Sequence, residues 1–431
     1  MSSLKQSPPF KAEHIGSLLR PSELINQRYL VADKQASPES LVPIEQASIK
    51  DIVKLQKECG FHAVTNGEHS RHQFWGNFFE TLNGMEEVNL REGGYDTSIF
   101  RMYAPDVNTF IQEKHIPNQV CLATSKVSHK GRSTLVPEYA FLKEVLESSD
   151  SSSSDNSDGS DSDNSTSKED TTSKAFDIKL TLPSPSWYHL RYAPSRAYAP
   201  GVYNNDDEYF KDVARAYQTE LGLLYEEGVR NVQVDDPNLA YFCSEEMLKG
   251  WAEDDSNTLS ADEQFDRYLR FYNECFKRPA DMHLGIHLCR GNYMGSRHFS
   301  SGAYDKIALS LFTHLDADTF YLEYDTPRAG GFEPLQYLPE GKNVVLGVVT
   351  SKFPELEDQK EMVERIYSAA DEVVKGRGGG CTREDALKQL SVSPQCGFAS
   401  HAEGNSLTRE DMINKLKLVR AIADEVWPGQ A

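Results

Sequence analysis

The pentapeptide Gly285-Ile286-His287-Leu288-Cys289 places two metal-binding side chains, His287 and Cys289, in a short apolar run. In a β-strand, residues i and i+2 point to the same side, so both side chains can reach one ion. Zinc suits this combination of an imidazole nitrogen and a thiolate sulfur. The same pair also fits an ordinary core strand, so other residues must decide between the two interpretations.

Two further side chains extend this pair to a tetrahedral set. Glu323 follows the next apolar run, and Cys396 lies in a turn after another short apolar stretch. One histidine, two cysteines and one glutamate would complete the coordination of a zinc ion, which would hold a bound thiol as a nucleophilic thiolate. The alternatives are a surface salt bridge for Glu323 and a small buried thiol for Cys396.

Apolar, β-branched runs alternate with helical patterns along the chain and define the elements that must position these residues. The strand candidates are Phe61–Thr65, Gln119–Thr124, Lys179–Leu182, Val229–Val234, Leu284–Leu288, Thr319–Leu322 and Asn343–Val349. Helical spacing marks Asp207–Glu227, Glu357–Val374 and Thr408–Val426, and a capping box of Thr408 and Asp411 opens the last. Repeated strand–helix units predict an α/β fold with a parallel sheet, and their number favours a (β/α)8 TIM barrel over a doubly wound open sheet.

Polar residues follow several of these strand candidates: Glu68, Asp235, Cys289 and Glu323. In a barrel, the carboxyl ends of the strands converge on one face, where active sites are built. We therefore expect residues far apart in sequence to meet in one pocket.

The segment 148–173 differs from the rest of the predicted single barrel domain, which spans residues 1–431. It consists almost entirely of Ser, Asp, Asn and Thr, with seven acidic residues against one lysine. Such a segment cannot bury enough apolar surface to offset the entropy lost on ordering, which predicts a disordered low-complexity insertion.

Overall charge and cysteine usage exclude several classes of function. The net charge is -21 and the sequence pI is about 5.0, which argues against nucleic-acid binding and against docking on an anionic membrane. No apolar stretch is long enough to span a bilayer, and the polar N-terminus has no signal core, so we expect a cytoplasmic protein. The seven scattered cysteines indicate reduced thiols or metal ligands, because an odd number does not suit a disulfide framework.

Six short motifs, in order, resemble the catalytic C-terminal half of cobalamin-independent methionine synthase. They are Ile15-Gly16-Ser17, Gly67-Glu68, Val234-Asp235-Asp236-Pro237, His287-Leu288-Cys289, Leu322-Glu323 and Pro394-Gln395-Cys396-Gly397. The resemblance implies a (β/α)8 barrel that binds zinc and acts on homocysteine or a similar small thiol. The implied zinc ligands, also the catalytic residues, are His287, Cys289, Glu323 and Cys396. The implied contacts of the amino acid are Ile15 and Ser17 for its carboxylate and Glu68 and Asp235 for its ammonium group.

The methyl donor implied by the resemblance is a methylated folate, but three departures leave it open. Full-length family members have a second, N-terminal barrel that helps to recognise the folate. The family places a proton-donating histidine after the strand that follows the zinc glutamate, whereas residues 344–352 contain none. The donor-side candidates are His69, Arg71, His72 and Trp75, which also fit a helix start, and Trp187, which lies where the family has a folate-contacting tryptophan. These traits resemble short, single-barrel methionine-synthase-like proteins.

These observations lead to one hypothesis and two alternatives. The leading hypothesis is a methyltransferase that transfers a methyl group to the zinc-bound thiolate of homocysteine and forms methionine. One alternative keeps the zinc but changes the electrophile, for example to an epoxide. The other is a zinc-binding barrel without catalytic activity that serves as a regulator or scaffold.

Overall fold

The computed structural model describes residues 7–90, 92–94, 97–113, 119–151 and 177–430. Its strands are β1 (Ala63–Val64), β2 (Leu82–Asn89), β3 (Gln119–His129), β4 (Asp177–Pro183), β5 (Asn231–Asp235), β6 (His283–Leu288), β7 (Thr319–Glu323), β8 (Asn343–Val349) and β9 (Leu390–Pro394). Its helices are α1 (Ser22–Ala32), α2 (Leu41–Glu58), α3 (Pro105–Gln112), α4 (Leu135–Ser151), α5 (Asp206–Glu226), α6 (Glu245–Glu253), α7 (Ala261–Cys275), α8 (Ala308–His314), α9 (Gln359–Gly376), α10 (Arg383–Lys388) and α11 (Arg409–Val426).

One curled parallel sheet forms the centre of the molecule. Within the described ranges it has seven strands, in the order β1, β4, β5, β6, β7, β8, β9. A parallel bridge from Ala12 to Val392 in β9 adds an eighth position beyond its last strand. The Leu18 N–H donates to the Gly67 carbonyl at 3.0 Å, which brings this N-terminal segment against the residues that follow β1. The predicted TIM-barrel-like fold is confirmed.

One predicted strand belongs to a different sheet. The run Gln119–Thr124 is extended, but it starts β3, which pairs antiparallel with β2 in a separate two-stranded sheet. Exposed and buried residues mix along β3, as in a hairpin with one solvated face, and this differs from the continuous burial of β5 or β7. Strand propensity reports an extended backbone and does not identify the strand's partner.

The sequence prediction places the start of the insertion, residue 148, too early. Residues 148–151 form the last turn of α4, because each residue added to an existing helix gains a backbone hydrogen bond at little nucleation cost. The remainder, 152–173, lies outside the described residues.

The three predicted helices are confirmed as α5, α9 and α11, with ends that differ by a few residues. The predicted capping box is also present: the Asp411 N–H donates to the Thr408 hydroxyl at 3.2 Å, and the Asp411 carboxylate accepts from the Thr408 N–H at 2.8 Å. In the described part of the chain, none of the helices combines the length and the apolar composition needed to cross a bilayer. All seven cysteines are free, as expected.

A buried ion pair joins the N-terminal segment to the inside of the barrel. The Lys179 ammonium in β4 donates to the Glu13 carboxylate at 2.7 Å and also to the His14 carbonyl, and both charged side chains are fully buried. The same ammonium lies 4.9 Å from the centre of the Tyr321 ring. The pair therefore links the eighth position of the sheet to β4 and β7.

We expect Lys179→Met to lower the free energy of unfolding by about 3–5 kcal/mol, because Glu13 would remain as a buried charge without a partner. Adding Glu13→Gln to this variant should recover much of the loss, because that charge is then removed. Urea denaturation measures both effects. Arg383→Met, which breaks an exposed pair with Asp371, should cost less than about 1 kcal/mol. Equal losses of unfolding free energy in Lys179→Met and in Lys179→Met combined with Glu13→Gln would contradict this account.

Candidate active site

Three buried side chains converge at the carboxyl end of the parallel sheet. His287 lies near the end of β6, Cys289 follows that strand, and Cys396 follows β9. Their ligand atoms all lie within 4.8 Å of one another. Neither ring nitrogen of His287 makes a hydrogen bond of good geometry with the described residues, although the side chain is buried and lies beside the Cys289 thiol. Leaving such a polar group unpaired is costly, and one imidazole with two thiols suits zinc, so these residues fit a metal ion.

The protonation of this group couples metal binding to the release of protons. A hydrogen bond with Cys396 and burial raise the pKa of the Cys289 thiol well above its usual range. Burial lowers the pKa of His287, while Cys289, Asp235 and Glu323 raise it, and the net change is upward. A bound dication stabilises the deprotonated form of its ligands, so metal binding here is coupled to proton release.

Glu323, the fourth predicted ligand, lies outside this group of three. It is the last residue of β7 and is fully buried. Its Oε2 accepts a hydrogen bond from the Arg290 N–H at 2.9 Å, and its Oε1 has no hydrogen-bond partner in the described part of the chain. The His298 Nδ1 lies 3.9 Å from that Oε1. The structure thus brings three of the four predicted ligands together and leaves one oxygen of the fourth available.

Side chains that sequence reasoning did not identify hold the surrounding loops. The buried Lys352 ammonium donates to the Gly291 carbonyl at 3.0 Å and to the Asn292 Oδ1 at 2.9 Å. Asn292 in turn donates to the Gly397 carbonyl at 2.9 Å, so the loops after β6, β8 and β9 are linked. For Lys352 the sequence does indicate a position at the site, because it is a charged residue shortly after the buried strand β8.

A cavity of about 460 Å³ opens beside the three metal-binding side chains. Most of the predicted site residues line it: Ile15, Ser17, Glu68, His72, Trp75, Trp187, Asp235, His287, Cys289 and Cys396. The two-stranded sheet of β2 and β3 contributes Glu87, Val120 and Cys121, so the strand that was wrongly predicted as part of the barrel forms a wall of the cavity.

Two buried carboxylates lie on one side of this cavity. The Glu68 backbone has a φ of 61°, a left-handed conformation that is uncommon outside glycine and often marks a functional position. Its Oε1 accepts from Arg71 at 2.8 Å and from the Thr181 hydroxyl at 3.2 Å. Its Oε2 is buried without a hydrogen-bond partner among the described residues. Burial and the neighbouring Glu68 raise the pKa of Asp235 to about 7, so a cation between the two would favour ionisation of both.

Ser17 is held against the loop that follows β9. Its carbonyl accepts from the Phe398 N–H at 2.9 Å. A Cβ atom at Gly397 would lie 1.9 Å from the Ser17 Oγ, so only glycine fits there. Ile15 is held by its carbonyl, which accepts from the Gln233 amide at 2.6 Å. The N-terminal segment therefore forms part of the cavity wall.

Two of the predicted donor-side residues lie behind the cavity wall. His69 is buried, with its Nδ1 2.5 Å from the Ser48 Oγ in α2 and its Nε2 3.3 Å from the Leu18 carbonyl. Arg71 is also buried and pairs with Glu68. Neither is among the described residues that line the cavity, whereas His72, Trp75 and Trp187 are.

The other side of the cavity is aromatic, and we refer to Phe74, Trp75, Trp187 and Tyr293 as the aromatic wall. The rings of Trp75 and Trp187 stack at 4.9 Å with an interplanar angle of 27°. Phe74 meets both in edge contacts at 5.0 and 4.9 Å. The cavity lining thus combines carboxylates, aromatic rings and the three metal-binding residues.

Comparison with known proteins gives concordant matches. The family described as the catalytic domain of cobalamin-independent synthase matches residues 198–425. Two Bacillus subtilis (strain 168) proteins, YxjG and YxjH, both described as uncharacterised, are 32% identical over 426 and 428 residues. Each match covers 98% of this chain and 96% of the relative.

Solved structures show the same fold. A putative vitamin-B12-independent methionine synthase from Listeria monocytogenes has a TM-score of 0.64 at 25% identity, covering 98% of this chain and 99% of that one. A B12-independent methionine synthase from Shewanella sp. W3-18-1, in complex with selenomethionine, has a TM-score of 0.61 at 17% identity over 97% of both chains, a likeness that concerns the fold alone.

We expect metal-free protein to bind about one equivalent of zinc, and Cys396→Ser to weaken that affinity by roughly a hundredfold or more. Even the loss of a residue that only supports a ligand costs about 10- to 100-fold, so the loss of a ligand should cost at least as much. Competition with a chromogenic chelator measures the affinity. Cys381→Ser, which changes a cysteine outside the group, is the control. Unchanged affinity in Cys396→Ser would exclude this residue as a ligand.

Proposed function

Because this chain belongs to the family of cobalamin-independent synthase catalytic domains, we propose that it is a zinc-dependent methyltransferase that methylates the sulfur of homocysteine and forms methionine. One observation supports this above all: the group of His287, Cys289 and Cys396 shares a cavity with the carboxylates of Glu68 and Asp235. The first set suits a metal that activates a thiol, and the second suits the ammonium group of an amino acid.

The metal would be held by His287, Cys289 and Cys396. The fourth candidate ligand is Glu323, whose Oε1 has no hydrogen-bond partner among the described residues. A zinc ion bound there supplies the positive charge that favours the thiolate form of a substrate thiol at neutral pH. Lys352 and Asn292 hold the loops that carry these ligands, so the donor atoms are already gathered before substrate arrives.

The remaining contacts orient the amino acid. The ammonium group binds between Glu68 and Asp235. Arg71 pairs with Glu68 Oε1, which leaves Glu68 Oε2 without a hydrogen-bond partner among the described residues. The carboxylate of the amino acid binds at the segment of Ile15 and Ser17, where a hydroxyl is available. Holding both ends of the amino acid directs its thiol towards the metal-binding side chains, which lowers the entropic part of the barrier to methyl transfer.

The methyl donor occupies the other end of the cavity in this proposal, beside His72, Trp75 and Trp187. A methylated folate is the donor that the family resemblance implies, and a flat ring could stack on the tryptophans. In this proposal, the residues that line this part of the cavity determine which methyl donor can reach the thiol.

We expect purified zinc-loaded protein to convert homocysteine to methionine when a suitable methyl donor is present, and Cys289→Ser to lose both the zinc and the turnover. Loss of a thiolate ligand removes the charge that activates the substrate thiol. Mass spectrometry of the product and metal analysis of the protein measure the two effects together. Cys381→Ser should retain both. Full turnover by a zinc-free Cys289→Ser protein would refute the proposed mechanism.

We expect Asp235→Asn to raise the KM for homocysteine about 10- to 100-fold, because a charge-assisted hydrogen bond to the ammonium is lost. Inhibition by 4-mercaptobutanoate, which has no ammonium group, should change little. The matched control is Asp236→Asn. Asp236 accepts from the N–H groups of Asn238 and Leu239 at 2.7 and 3.1 Å, so its replacement should lower stability and leave that KM unchanged. An unchanged KM in Asp235→Asn would favour a thiol substrate that is not an amino acid.

A further inference from the structure

The charges around the aromatic wall of the cavity point to the chemical class of the methyl donor. We propose that the donor is a methylsulfonium compound, a cation that delivers its methyl group between the aromatic wall and the metal-binding side chains. This inference rests on the proposed function, because it names the second substrate of the same site.

Phe74 and Trp75 are the half-buried rings of the aromatic wall, whereas Trp187 and Tyr293 are buried. Trp75 stacks on Trp187. The Tyr293 ring, which also belongs to the lining, lies 5.0 Å from the ring of His401. Aromatic faces attract onium cations through the negative potential of the ring, and this attraction is strongest where water is excluded. The Arg191 guanidinium already lies 3.8 Å from the centre of the Trp187 ring, so Trp75 is the tryptophan of the wall that remains for a cationic ligand.

The lining is also acidic. Its carboxylates are Glu68, Glu87, Asp106, Asp235 and Glu403. Among the described lining residues, Arg191 is the single lysine or arginine, and it is paired with Asp106 at 2.8 Å. Arg71, behind the lining, pairs with Glu68 at 2.8 Å. Glu87 and Glu403 are exposed at the mouth of the cavity, and the negative charge of these two carboxylates raises the local concentration of a cation.

A polyanionic donor meets the opposite field. The glutamate carboxylates of a folate would need cationic partners, and Arg297, which lies over the Tyr293 ring, is already paired with Glu113. The charges of the described lining therefore oppose a donor with several carboxylates and favour a cationic one.

The chemistry of a sulfonium also suits these residues. The thiol of homocysteine gives up its proton to solvent, and its sulfur then forms a new bond to the methyl carbon. The bond between that carbon and the donor sulfur breaks, and its electron pair remains on the donor sulfur, which leaves as a neutral thioether. No proton is consumed at the leaving group, in contrast to transfer from a tertiary amine. His401 in the lining agrees with this, because burial lowers the pKa of its imidazole to about 4 and leaves it neutral at neutral pH.

The test supplies zinc-loaded protein with homocysteine labelled in its carbon backbone and with one donor at a time. The donors are S-methyl-L-methionine, S-adenosyl-L-methionine, glycine betaine and 5-methyltetrahydrofolate triglutamate. The backbone label distinguishes methionine made from homocysteine from methionine left by a donor. We expect labelled methionine from at least one sulfonium and turnover at least tenfold lower with the folate and with betaine.

Two variants locate the donor site. Trp75→Leu should raise the KM for the sulfonium about tenfold, because a cation–π contact is lost, and leave the KM for homocysteine unchanged. Glu87→Lys should lower kcat/KM for the sulfonium, by about three- to tenfold at low salt and less at high salt. Its matched control is Glu86→Lys: Glu86 is the exposed neighbour in β2, is not part of the described lining, and points to the opposite face of the strand.

The outcomes separate this inference from the proposed function. Methionine from the folate and from neither sulfonium would overturn the sulfonium donor and leave the proposed function standing. Methionine from betaine alone would show a cationic donor of another class and would also overturn it. If Glu87→Lys and Glu86→Lys changed kcat/KM for the sulfonium equally, the carboxylate at the cavity mouth would have no specific role in attracting the donor. If no donor gives methionine and calorimetry detects no homocysteine binding, both the inference and the proposed function fail.

Discussion

The curvature of the parallel sheet is the constraint on which the whole site depends. His287 and Cys289 come from β6, whereas Cys396 comes from β9, and β7 and β8 lie between these strands. Neighbouring strands are about 4.8 Å apart, so a flat sheet would separate β6 and β9 by about 14 Å. The ligand atoms nevertheless lie within 4.8 Å of one another, because the sheet curls and the residues beyond the strand ends turn inward. An open sheet with the same sequence motifs would not assemble this group.

Closure also explains why the N-terminal segment matters. Ala12 pairs with β9, and the Lys179–Glu13 ion pair anchors the same segment within the barrel. Ile15 and Ser17 follow immediately and form the cavity wall. The same few residues therefore complete the sheet and line the cavity, so a change that displaces this segment would affect both.

Much of this architecture was predictable, for physical reasons that differ between residues. Buried parallel strands read as continuous apolar runs, which is why β5 to β8 were located within one or two residues. The convergence of His287, Cys289 and Cys396 followed from the fold and from the family resemblance. The partner of β3 did not follow, because pairing depends on contacts distant in sequence. The positions of His69 and Arg71 behind the wall depend on side-chain direction in an irregular loop, which residue type does not reveal. Lys352 was passed over because its partners are mostly backbone carbonyls, which sequence does not mark.

The links between Lys352, Asn292 and Gly397 have a consequence for the maturation of this protein. Small zinc modules fold only around their ion, since they have little else to hold the ligands together. Here a large hydrophobic core and hydrogen-bonded loops arrange the three donor atoms within the polypeptide itself. For the proposed zinc site, this arrangement predicts that folding does not depend on the cation. If the site binds zinc as proposed, loading would be a late, reversible step, and a chelator would remove the ion without unfolding the protein.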